Sequence, residues 1–506
     1  MQIINSIVSW FNIKRLHQIE LFKQYPFNVQ EETLFKLVQK AKDTEWGKKF
    51  NYDKIQTVED FQQNVPLQTY EEIKPFVSRL REGEPNLLWP GEIKWFAKSS
   101  GTTSDKSKFI PVSKEALEDC HFRGGKDIMA LYTHHHPNTK VFSGKGLTLG
   151  GSHSIDNFSN QSYYGDLSAI LIENLPWWVD IIRTPKTEIA LMGKWEEKLE
   201  KITETTIKEN VTNIAGVPSW NLVLIKHILA QTGKDSLLDI WPNLELFTHG
   251  GVSFAPYRDQ FKKLIPSIKM NYMEAYNASE GFFAIQDDPL HEDMLLMLDY
   301  GIFYEFIPMD EFHKENPQAV TIENVDLGKN YAIVITTNSG LWRYIIGDTV
   351  IFTSVFPHKI KITGRTRHFI NAFGEEVIIE NAEKALQIAC EKTHSSIREY
   401  TAGPIFMGDN SNGTHEWLIE FDVEPENLEY FTTLMDNALC SVNSDYEAKR
   451  YRNITLRMPV VHKMKPGVFF NWMKEKGKLG GQNKVPRLAN NRQYIEEILA
   501  INNQMS

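Results

Sequence analysis

The sequence predicts an α/β fold made of two domains, and three observations support this prediction. The chain has 506 residues, more than a single hydrophobic core usually organises. Apolar runs of strand length alternate with helical segments through the middle of the chain. Near Gly364 the pattern changes to a shorter α+β segment. We therefore expect a large N-terminal α/β domain followed by a small α+β C-terminal domain.

The composition is typical of a protein that folds without disulfide bonds and does not bind nucleic acids. The formal net charge of −10 disfavours a broad electrostatic contact with DNA or RNA. Cys120, Cys390 and Cys440 form no CxxC spacing, so we expect reduced thiols and a cytoplasmic protein. No window approaches about 18 consecutive apolar residues, so no membrane span is predicted. The composition leaves the oligomeric state open.

The first ninety residues predict a helical lead-in (1–90). Its opening segment alternates apolar and polar positions, as an amphipathic helix does and a secretory signal does not. Thr69 and Glu72 have capping-box spacing ahead of apolar residues that recur at helical intervals. A helix is therefore predicted to begin just after Thr69.

Buried strands are predicted where apolar, β-branched and aromatic residues cluster. The candidates are IKWFA and FIPV after Pro90, and then LELFTHGG (244–251), MNYMEAYNA (270–278), 300–307 and YAIVITT (331–337). Several of these runs end in a polar loop. Because ligands usually bind at the carboxyl ends of strands in α/β folds, these loops are the first places to look for a site.

The change of pattern also sets the expected domain boundaries. We expect an N-terminal domain over residues 1–363, a glycine-bracketed hinge loop over 364–374, and a C-terminal domain over 375–506. In the last of these, helices are predicted near 381–392 and 427–442, with a strand at WLIEFDV.

The first candidate for chemistry is the polar run SSGTTSDKSK (99–108) between two predicted strands. Its hydroxyls, its glycine and its lysines suit a loop that wraps a polyphosphate. No GxxxxGK[ST] or GxGxxG motif occurs in the chain, which disfavours the common nucleotide-binding folds. The alternative is a solvated linker, because Ser and Thr are favoured in turns for local reasons. The position between two strands favours the phosphate loop.

The second candidate is YNASEG (276–281), which follows a predicted core strand. Glu280 at the strand end is suited to holding Mg²⁺ beside phosphates. An exposed acidic turn is the alternative. A hydrolase nucleophile elbow on Ser279 is excluded because Asn277 stands where GxSxG requires glycine.

The third candidate is GLWRYIIGD (340–348), directly after YAIVITTNS. Asp348 is suited to accepting two ribose hydroxyls, as acidic residues do in other nucleotide sites. The alternative is a simple turn at Gly347, with Arg343 paired to an acidic residue. The segment is informative mainly together with the others.

The fourth candidate is GRTRHFINAFGEE (364–376), a basic loop bracketed by glycines. Arg365 is suited to reaching ribose or phosphate, and the loop is suited to acting as a hinge. The alternative is a β-hairpin with surface arginines.

In this order and spacing, the four segments resemble the core motifs of the adenylate-forming superfamily. In detail, SSGTTSDKSKFIP, GDLSAILIENLPWW, YNASEGFF, GLWRYIIGD and QNKVPR resemble the Gretchen Hagen family of acyl acid-amido synthetases, over nearly the whole chain. The resemblance implies a large adenylate-forming N-terminal domain, a small mobile C-terminal domain, and binding of ATP and Mg²⁺. It further implies that a small carboxylic acid becomes an acyl-adenylate, with pyrophosphate released, and then an amide with an amino acid or other amine.

The resemblance also assigns roles to matching positions. The positions that would bind ATP or AMP are Ser99, Ser100, Thr102, Thr103, Gly250, Gly251, Tyr276, Ser279, Asp348 and Arg365. Among them, Tyr276 would lie near adenine, Ser279 at the α-phosphate, and Asp348 and Arg365 at the ribose. Glu280 would bind Mg²⁺.

Three further positions carry implied roles. Lys106 in the phosphate loop and Lys484 in QNKVPR would offset charge that grows on the phosphoryl oxygens, and Lys484 would approach the reacting carboxylate. Asn371 stands at the hinge position, where many superfamily members carry Asp or Lys. Its hinge role is therefore inferred from placement alone.

Two other functions compete with this interpretation. An acyl-CoA ligase would use the same adenylation step with a thiol acceptor, and a non-catalytic protein would hold a nucleotide without turnover. A metal hydrolase based on His134-His135-His136 is disfavoured, because consecutive histidines on a helix cannot all face one ion. The acyl acid is not identified by the sequence, since Trp177, Trp178 and Phe282 suit a pocket wall and a core equally.

Overall fold

The computed structural model describes most of the chain. The described residues are 2–99, 108–149, 156–159, 162–251, 254, 257–312, 314–366, 369–370, 377–405, 413–443, 446–447, 450, 456–478, 484–489 and 491–505.

The helices of this part of the chain are distributed from end to end. They are α1 (Gln2–Gln24), α2 (Pro26–Ala41), α3 (Glu45–Lys49), α4 (Val58–Asn64), α5 (Tyr70–Arg81), α6 (Phe122–His135), α7 (Leu167–Glu173), α8 (Val179–Ile182), α9 (Thr187–Ala190), α10 (Trp195–Thr206), α11 (Pro218–Thr232), α12 (Arg258–Leu264), α13 (Ile379–Thr393), α14 (Leu428–Val442), α15 (Val468–Glu475) and α16 (Gln493–Gln504). None of these helices is long and apolar enough to cross a membrane.

The strands cluster in the middle of the chain and again near its end. They are β1 (Trp95–Ser99), β2 (Lys108–Val112), β3 (Lys145–Thr148), β4 (Asp156–Ser159), β5 (Ser162–Gly165), β6 (Arg183–Thr184), β7 (Val211–Gly216), β8 (Leu246–His249), β9 (Asn271–Ala278), β10 (Gly281–Ile285), β11 (Met294–Leu296), β12 (Ile302–Pro308), β13 (Val320–Thr321), β14 (Asn330–Thr337), β15 (Tyr344–Val355), β16 (His358–Arg365), β17 (Phe369–Ile370), β18 (Val377–Ile378), β19 (Ser396–Ile405), β20 (Thr414–Val423) and β21 (Val460–Lys463).

Within the described residues, the largest sheet has twelve strands in the order β13-β12-β14-β15-β16-β11-β10-β9-β8-β7-β3-β6. The run from β9 to β6 is parallel, and the strands from β9 to β13 that have assigned registers pair antiparallel. Every residue of β12 is buried, and its side chains are apolar or aromatic except that of Glu305, which pairs with Arg343. The predicted α/β fold class is confirmed, and the sheet is mixed.

The helices of the first ninety residues pack against this sheet. Glu72 accepts the Thr69 backbone N–H at 2.6 Å, so α5 begins where the capping-box spacing predicts. Gln30 on α2 donates to the carbonyls of Leu298 and Ile302 and accepts from the Tyr304 N–H, with distances of 2.8–2.9 Å. These three bonds fix α2 to the start of β12.

The chain divides into two compact units. Met1–Gly251 with Pro266–Ile362 forms the first, and Val252–Ile265 with Thr363–Ser506 forms the second. The helix α12 therefore belongs to the second unit, although in sequence it lies between β8 and β9 of the large sheet. The predicted boundaries did not include this excursion, and the hinge assignment for 364–374 stays a prediction.

The second unit is built on the sheet β19-β20-β21. Trp417 and Ile419 on β20 belong to one apolar cluster with α13 and α14. Leu418 between them belongs to a second cluster with α15 and α16. Because successive side chains of a strand point to opposite faces, this sheet is covered on both sides. The predicted strand WLIEFDV and both predicted helices are confirmed.

Candidate functional site

The strands around the first polar run lie as the sequence predicts. β1 and β2 pair antiparallel, with Ser99 opposite Lys108. Ser99 is therefore the last residue of β1, and the two strands bring the ends of the run together. Ser100, Thr102, Thr103 and Lys106 lie outside the described residues, and their phosphate contacts stay predictions.

The second candidate segment forms a tight hairpin between β9 and β10. Ala278 pairs with Gly281, so Ser279 and Glu280 form a two-residue turn. Ser279 is buried and Glu280 is half-buried. A Cβ at Gly281 would lie 2.8 Å from the Ile302 Cδ1 atom and 3.0 Å from the Phe283 ring, so a larger residue after the turn would require these side chains to shift.

Asp348 lies on a β-bulge of β15. Ala332 pairs with Thr349 and Val334 with Ile345, so the three residues 346–348 stand opposite Ile333 alone. Gly347 has a φ of 94°, a conformation that L side chains rarely adopt. Bulges redirect side chains and are frequent beside functional sites. The Gly-Asp pair is thus the sequence signal for a redirected carboxylate.

A hydrogen bond joins the second and third candidate segments. The Tyr276 hydroxyl donates to the Asp348 Oδ2 atom at 2.7 Å, and both residues are buried. In the strand order, β9 and β15 are separated by β10, β11 and β16. Four strand spacings on a flat sheet would be about 19 Å. The sheet must therefore curve strongly to bring these two side chains into contact.

The glycine pair after β8 packs closely against β9. His249 pairs with Glu274 in parallel register, which places Gly250 beside Ala275. A Cβ at Gly250 would lie 2.3 Å from the Ala275 carbonyl oxygen, so no other residue fits there. Gly251 has a φ of 80°. The backbone after β8 is therefore held against Ala275, the residue that precedes Tyr276.

The Tyr276 ring has a partner on one side within the first unit. It lies 4.9 Å from the Phe283 ring centroid, tilted by 54°. The implied stacking near adenine stays a prediction. The structure adds a role that the sequence did not reveal, namely orienting the Asp348 carboxylate.

Arg343 takes the structural role that was the alternative for the third segment. Its Nε and Nη2 atoms donate to Glu305 at 3.0 and 2.8 Å, and its Nη1 atom donates to the carbonyls of Gln62 and Val65. Both partners of this ion pair are buried. Arg343 thus fastens the lead-in to the large sheet, five residues before Asp348.

In the second unit, the segment that contains Lys484 runs beside β19. The Ala402 N–H donates to the Arg487 carbonyl at 2.8 Å, and Thr401 Oγ1 donates to the Pro486 carbonyl at 2.5 Å. Lys484 itself is exposed at the start of this fixed segment. Arg487 donates to the Tyr400 carbonyl and pairs with Glu399.

Two predicted residues of the basic loop have different outcomes. Arg365 is the last residue of β16 and is half-buried. Asn371 lies outside the described residues. The roles of both residues, at the ribose and at the hinge, stay predictions.

The histidine run and the aromatic candidates for a pocket wall have different positions in the structure. His134 and His135 end α6, and the described part of the chain contains no group of three His, Cys, Asp or Glu side chains able to hold a metal. Trp177 is 81% exposed and Trp178 is 46% exposed, whereas Phe282 is buried. Only Phe282 is a core residue.

Models of the GH3 family match three successive parts of the chain. The N-terminal domain of the family matches residues 15–270, the central domain 295–365 and the C-terminal domain 380–493. The first match alone covers half of the chain.

Relatives and solved structures agree with these matches. The 4-substituted benzoates-glutamate ligase GH3.12 of Arabidopsis thaliana is 24% identical over 91% of this chain and 92% of the relative. The jasmonoyl-L-amino acid synthetase JAR4 of Nicotiana attenuata is 24% identical over 74% and 75%. A structure of the GH3.15 acyl acid amido synthetase superposes with a TM-score of 0.79 at 18% identity, over 96% of this chain and 95% of that chain. The predicted family is confirmed, and this chain belongs to the GH3 family.

Proposed function

We propose that this chain is an ATP-dependent acyl acid-amido synthetase. It activates a small carboxylic acid as an acyl-adenylate, releases pyrophosphate, and transfers the acyl group to an amino acid or another amine. The hydrogen bond between Tyr276 and Asp348 carries the proposal, because it joins two nucleotide-binding motifs that are 72 residues apart. The names of the relatives, which are amide-forming ligases, support the reaction class.

The first half-reaction requires a carboxylate to attack the α-phosphorus of ATP. Two anions then approach each other, so donors must offset the charge on the phosphoryl oxygens. Asp348 would accept the ribose hydroxyls, with Gly250 and Gly251 beside the adenine. The short turn with Ser279 would face the α-phosphate. Binding in this way supplies orientation worth up to roughly 7 to 11 kcal/mol of the barrier.

A magnesium site on Glu280 fits the donor set. Mg²⁺ is usually held by one or two carboxylates together with substrate phosphates, and not by an all-protein cage. Glu280 offers one carboxylate on a half-buried turn, and the described residues contain no larger acidic cluster that would hold a metal alone. When bound there, Mg²⁺ would neutralise part of the phosphate charge.

The remaining assignments complete the proposal. Lys106 would act on the phosphates with Ser99, Ser100, Thr102 and Thr103. Lys484 would approach the reacting groups from the second unit, where its segment is fixed beside β19. Arg365 would bind the ribose, and residues 364–374 with Asn371 would be the hinge for the second half-reaction. Three cysteines without a disulfide support a cytoplasmic location.

The test is acid-dependent exchange of pyrophosphate into ATP, measured with Mg²⁺ and a panel of carboxylic acids. We expect exchange with the wild-type protein, loss with Glu280→Ala, and no change with Glu315→Ala, which removes an exposed carboxylate of the same unit. Amide formation with amino acids and, separately, thioester formation with CoA are then measured by mass spectrometry. Product with CoA alone would identify an acyl-CoA ligase instead. ATP binding without exchange would identify a non-catalytic nucleotide-binding protein.

A further inference from the structure

The residues just before α6 form a π-helical turn, Ala116–His121, which continues directly into the helix. Such turns are rare and occur often at functional sites. Cys120 in this turn, Gly124 and Asp127 recur at intervals of four and three residues, so they share one face of the helix. On that face, Cys120 and Gly124 contact Phe282 of β10, and Asp127 accepts hydrogen bonds from Arg15 and Tyr300.

Cys120 holds the backbone of Phe282 at both of its polar groups. The Phe282 N–H donates to the Cys120 Sγ atom at 3.1 Å, and the thiol faces the Phe282 carbonyl at 3.8 Å. One helical turn later, a Cβ at Gly124 would lie 2.5 Å from the Phe282 ring. The ring therefore lies directly on the helix backbone. Phe282 is fixed by its main chain and by its side chain at once.

The position of Phe282 in the hairpin gives this contact its importance. Phe282 is two residues after Glu280 and stands opposite Asn277, and the register shifts immediately after it. β11 pairs with β10 only at Ala284 and Ile285. Cys120 thus forms hydrogen bonds with the part of β10 next to the Ser279-Glu280 turn, which β11 does not reach.

The thiol is suited to this role and not to a reactive one. Burial raises the pKa of Cys120 to about 12, so the group stays neutral and keeps its proton. A neutral thiol can donate and accept at the same time. The side chain is 1% exposed, which also shields it from oxidants.

The same stretch of chain contacts, at its other end, the two residues just before the third candidate segment. The Ser113 N–H donates to the Ser339 Oγ atom at 3.0 Å, and the Ser113 hydroxyl donates to the Asn338 carbonyl at 2.7 Å. Ser113 also accepts the Ala116 N–H and so starts the turn. Residues 108–124 therefore run from the end of the polar loop, past the segment that leads to Asp348, to the hairpin.

We propose that Cys120 is a positioning residue that fixes the Ser279-Glu280 turn, and thereby the carboxylate offered to the metal-nucleotide substrate. This inference rests on the proposed function. Cys120 touches no reacting atom and acts only through the main chain of Phe282.

The first test is the Mg²⁺ requirement of pyrophosphate exchange in Cys120→Ala, Cys120→Ser and the matched control Cys390→Ala. Losing the partner that orients a metal ligand typically costs 10- to 100-fold in metal affinity, so we expect Cys120→Ala to need about 10-fold more Mg²⁺ for half-maximal exchange. The KM for the carboxylic acid should stay unchanged. Cys120→Ser, whose hydroxyl can still donate and accept, should recover most of the loss. An unchanged Mg²⁺ requirement in Cys120→Ala would overturn the proposal.

The second test needs neither substrate nor turnover. Hydrogen exchange of the backbone amides in residues 276–284 is measured in the nucleotide-free proteins. We expect faster exchange in Cys120→Ala than in wild type, with Cys120→Ser close to wild type. Equal rates in all three would overturn the positioning role. If wild type shows no exchange of pyrophosphate at all, the proposed function fails, and the amide rates still decide the role of Cys120 in the hairpin.

Discussion

Glu305 and Asp348 are two buried carboxylates of the same sheet that are held in different ways. Glu305 is 1% exposed, forms two hydrogen bonds with the Arg343 guanidinium, and accepts a further bond from Gln62. Asp348 is 6% exposed and accepts from the neutral hydroxyl of Tyr276. Glu305 is matched by the Arg343 cation, and one hydrogen bond that orients Asp348 comes from an uncharged hydroxyl.

This difference suggests separate roles for two residues of the segment 340–348, namely a structural role for Arg343 and a ligand-binding role for Asp348. A carboxylate that already faces a guanidinium contributes to the fold and gains little from a ligand. A carboxylate oriented by a phenol on a glycine-dependent bulge is suited to accepting hydroxyl donors from a ligand. The segment 340–348 therefore contains a structural residue, Arg343, and the proposed binding residue Asp348.

Breaking the structural pair should have the largest effect. We expect Glu305→Ala to lower the free energy of unfolding by about 3–5 kcal/mol, because it leaves the Arg343 charge buried without its partner. Urea denaturation measures this loss. Glu305→Gln, which keeps hydrogen bonds, should lose less, and the exposed control Glu323→Ala should lose almost nothing. A loss equal to that of the control would remove the contrast with Asp348.

The next largest effect on the free energy of unfolding should come from His121, a histidine that burial keeps neutral. Burial lowers the pKa of His121 from 6.5 to about 4. The unfolded chain therefore binds more protons between these values, so the contribution of His121 is complete above about pH 6.5 and is lost progressively as the pH falls toward 4. The full contribution is about 3 kcal/mol, of which about 2 kcal/mol should disappear between about pH 7.5 and pH 5.

The measurement compares the pH dependence of unfolding in wild type and in His121→Gln, which cannot take the charge. The variant should have the flatter acid limb. Parallel curves would show that His121 can be protonated in the folded protein as easily as in the unfolded chain.

Removing the charge of the binding carboxylate should affect ligand affinity more than stability. Asp348→Asn should weaken nucleotide binding by about 10- to 100-fold, since hydrogen bonds to charged groups contribute about 1.5–3 kcal/mol. Calorimetric titration with ATP measures this change. Asp310→Asn on the surface is the matched control. A variant that loses stability and keeps its affinity would place Asp348 with Glu305 in the structural class.

The smallest effect is expected from the donor that orients Asp348. Tyr276→Phe keeps the ring against Phe283 and removes only the hydroxyl. Because a net hydrogen bond contributes roughly 1 kcal/mol, we expect nucleotide affinity to fall roughly five- to tenfold. The same titration measures it. A loss as large as that of Asp348→Asn would mean that Tyr276 contacts the nucleotide itself.

The sequence predicted the parts of the site that are local in the chain. The strands MNYMEAYNA and YAIVITT were evident from apolar runs, and Asp348 was singled out as a carboxylate suited to ribose hydroxyls, but the bulge that redirects it was not predicted. The contact between Tyr276 and Asp348 depends on the curvature of a sheet with three strands between them, which no local pattern contains. The pairing of Arg343 with Glu305 is equally distant in sequence. The excursion of α12 into the second unit also leaves no compositional trace.

That excursion has a mechanical consequence for the proposed movement of the second unit. The chain passes between the units after residues 251, 265 and 362. The units are therefore joined by three backbone connections and not by one. A body on a single tether can swivel freely, whereas one on three tethers can turn only about axes that all three tolerate. Gly251 and Gly364, next to two of these passages, have φ values of 80° and 151°. The torsion of the proposed swing would therefore be shared among separate passages, and changing the loop at 364–374 alone would alter only part of it.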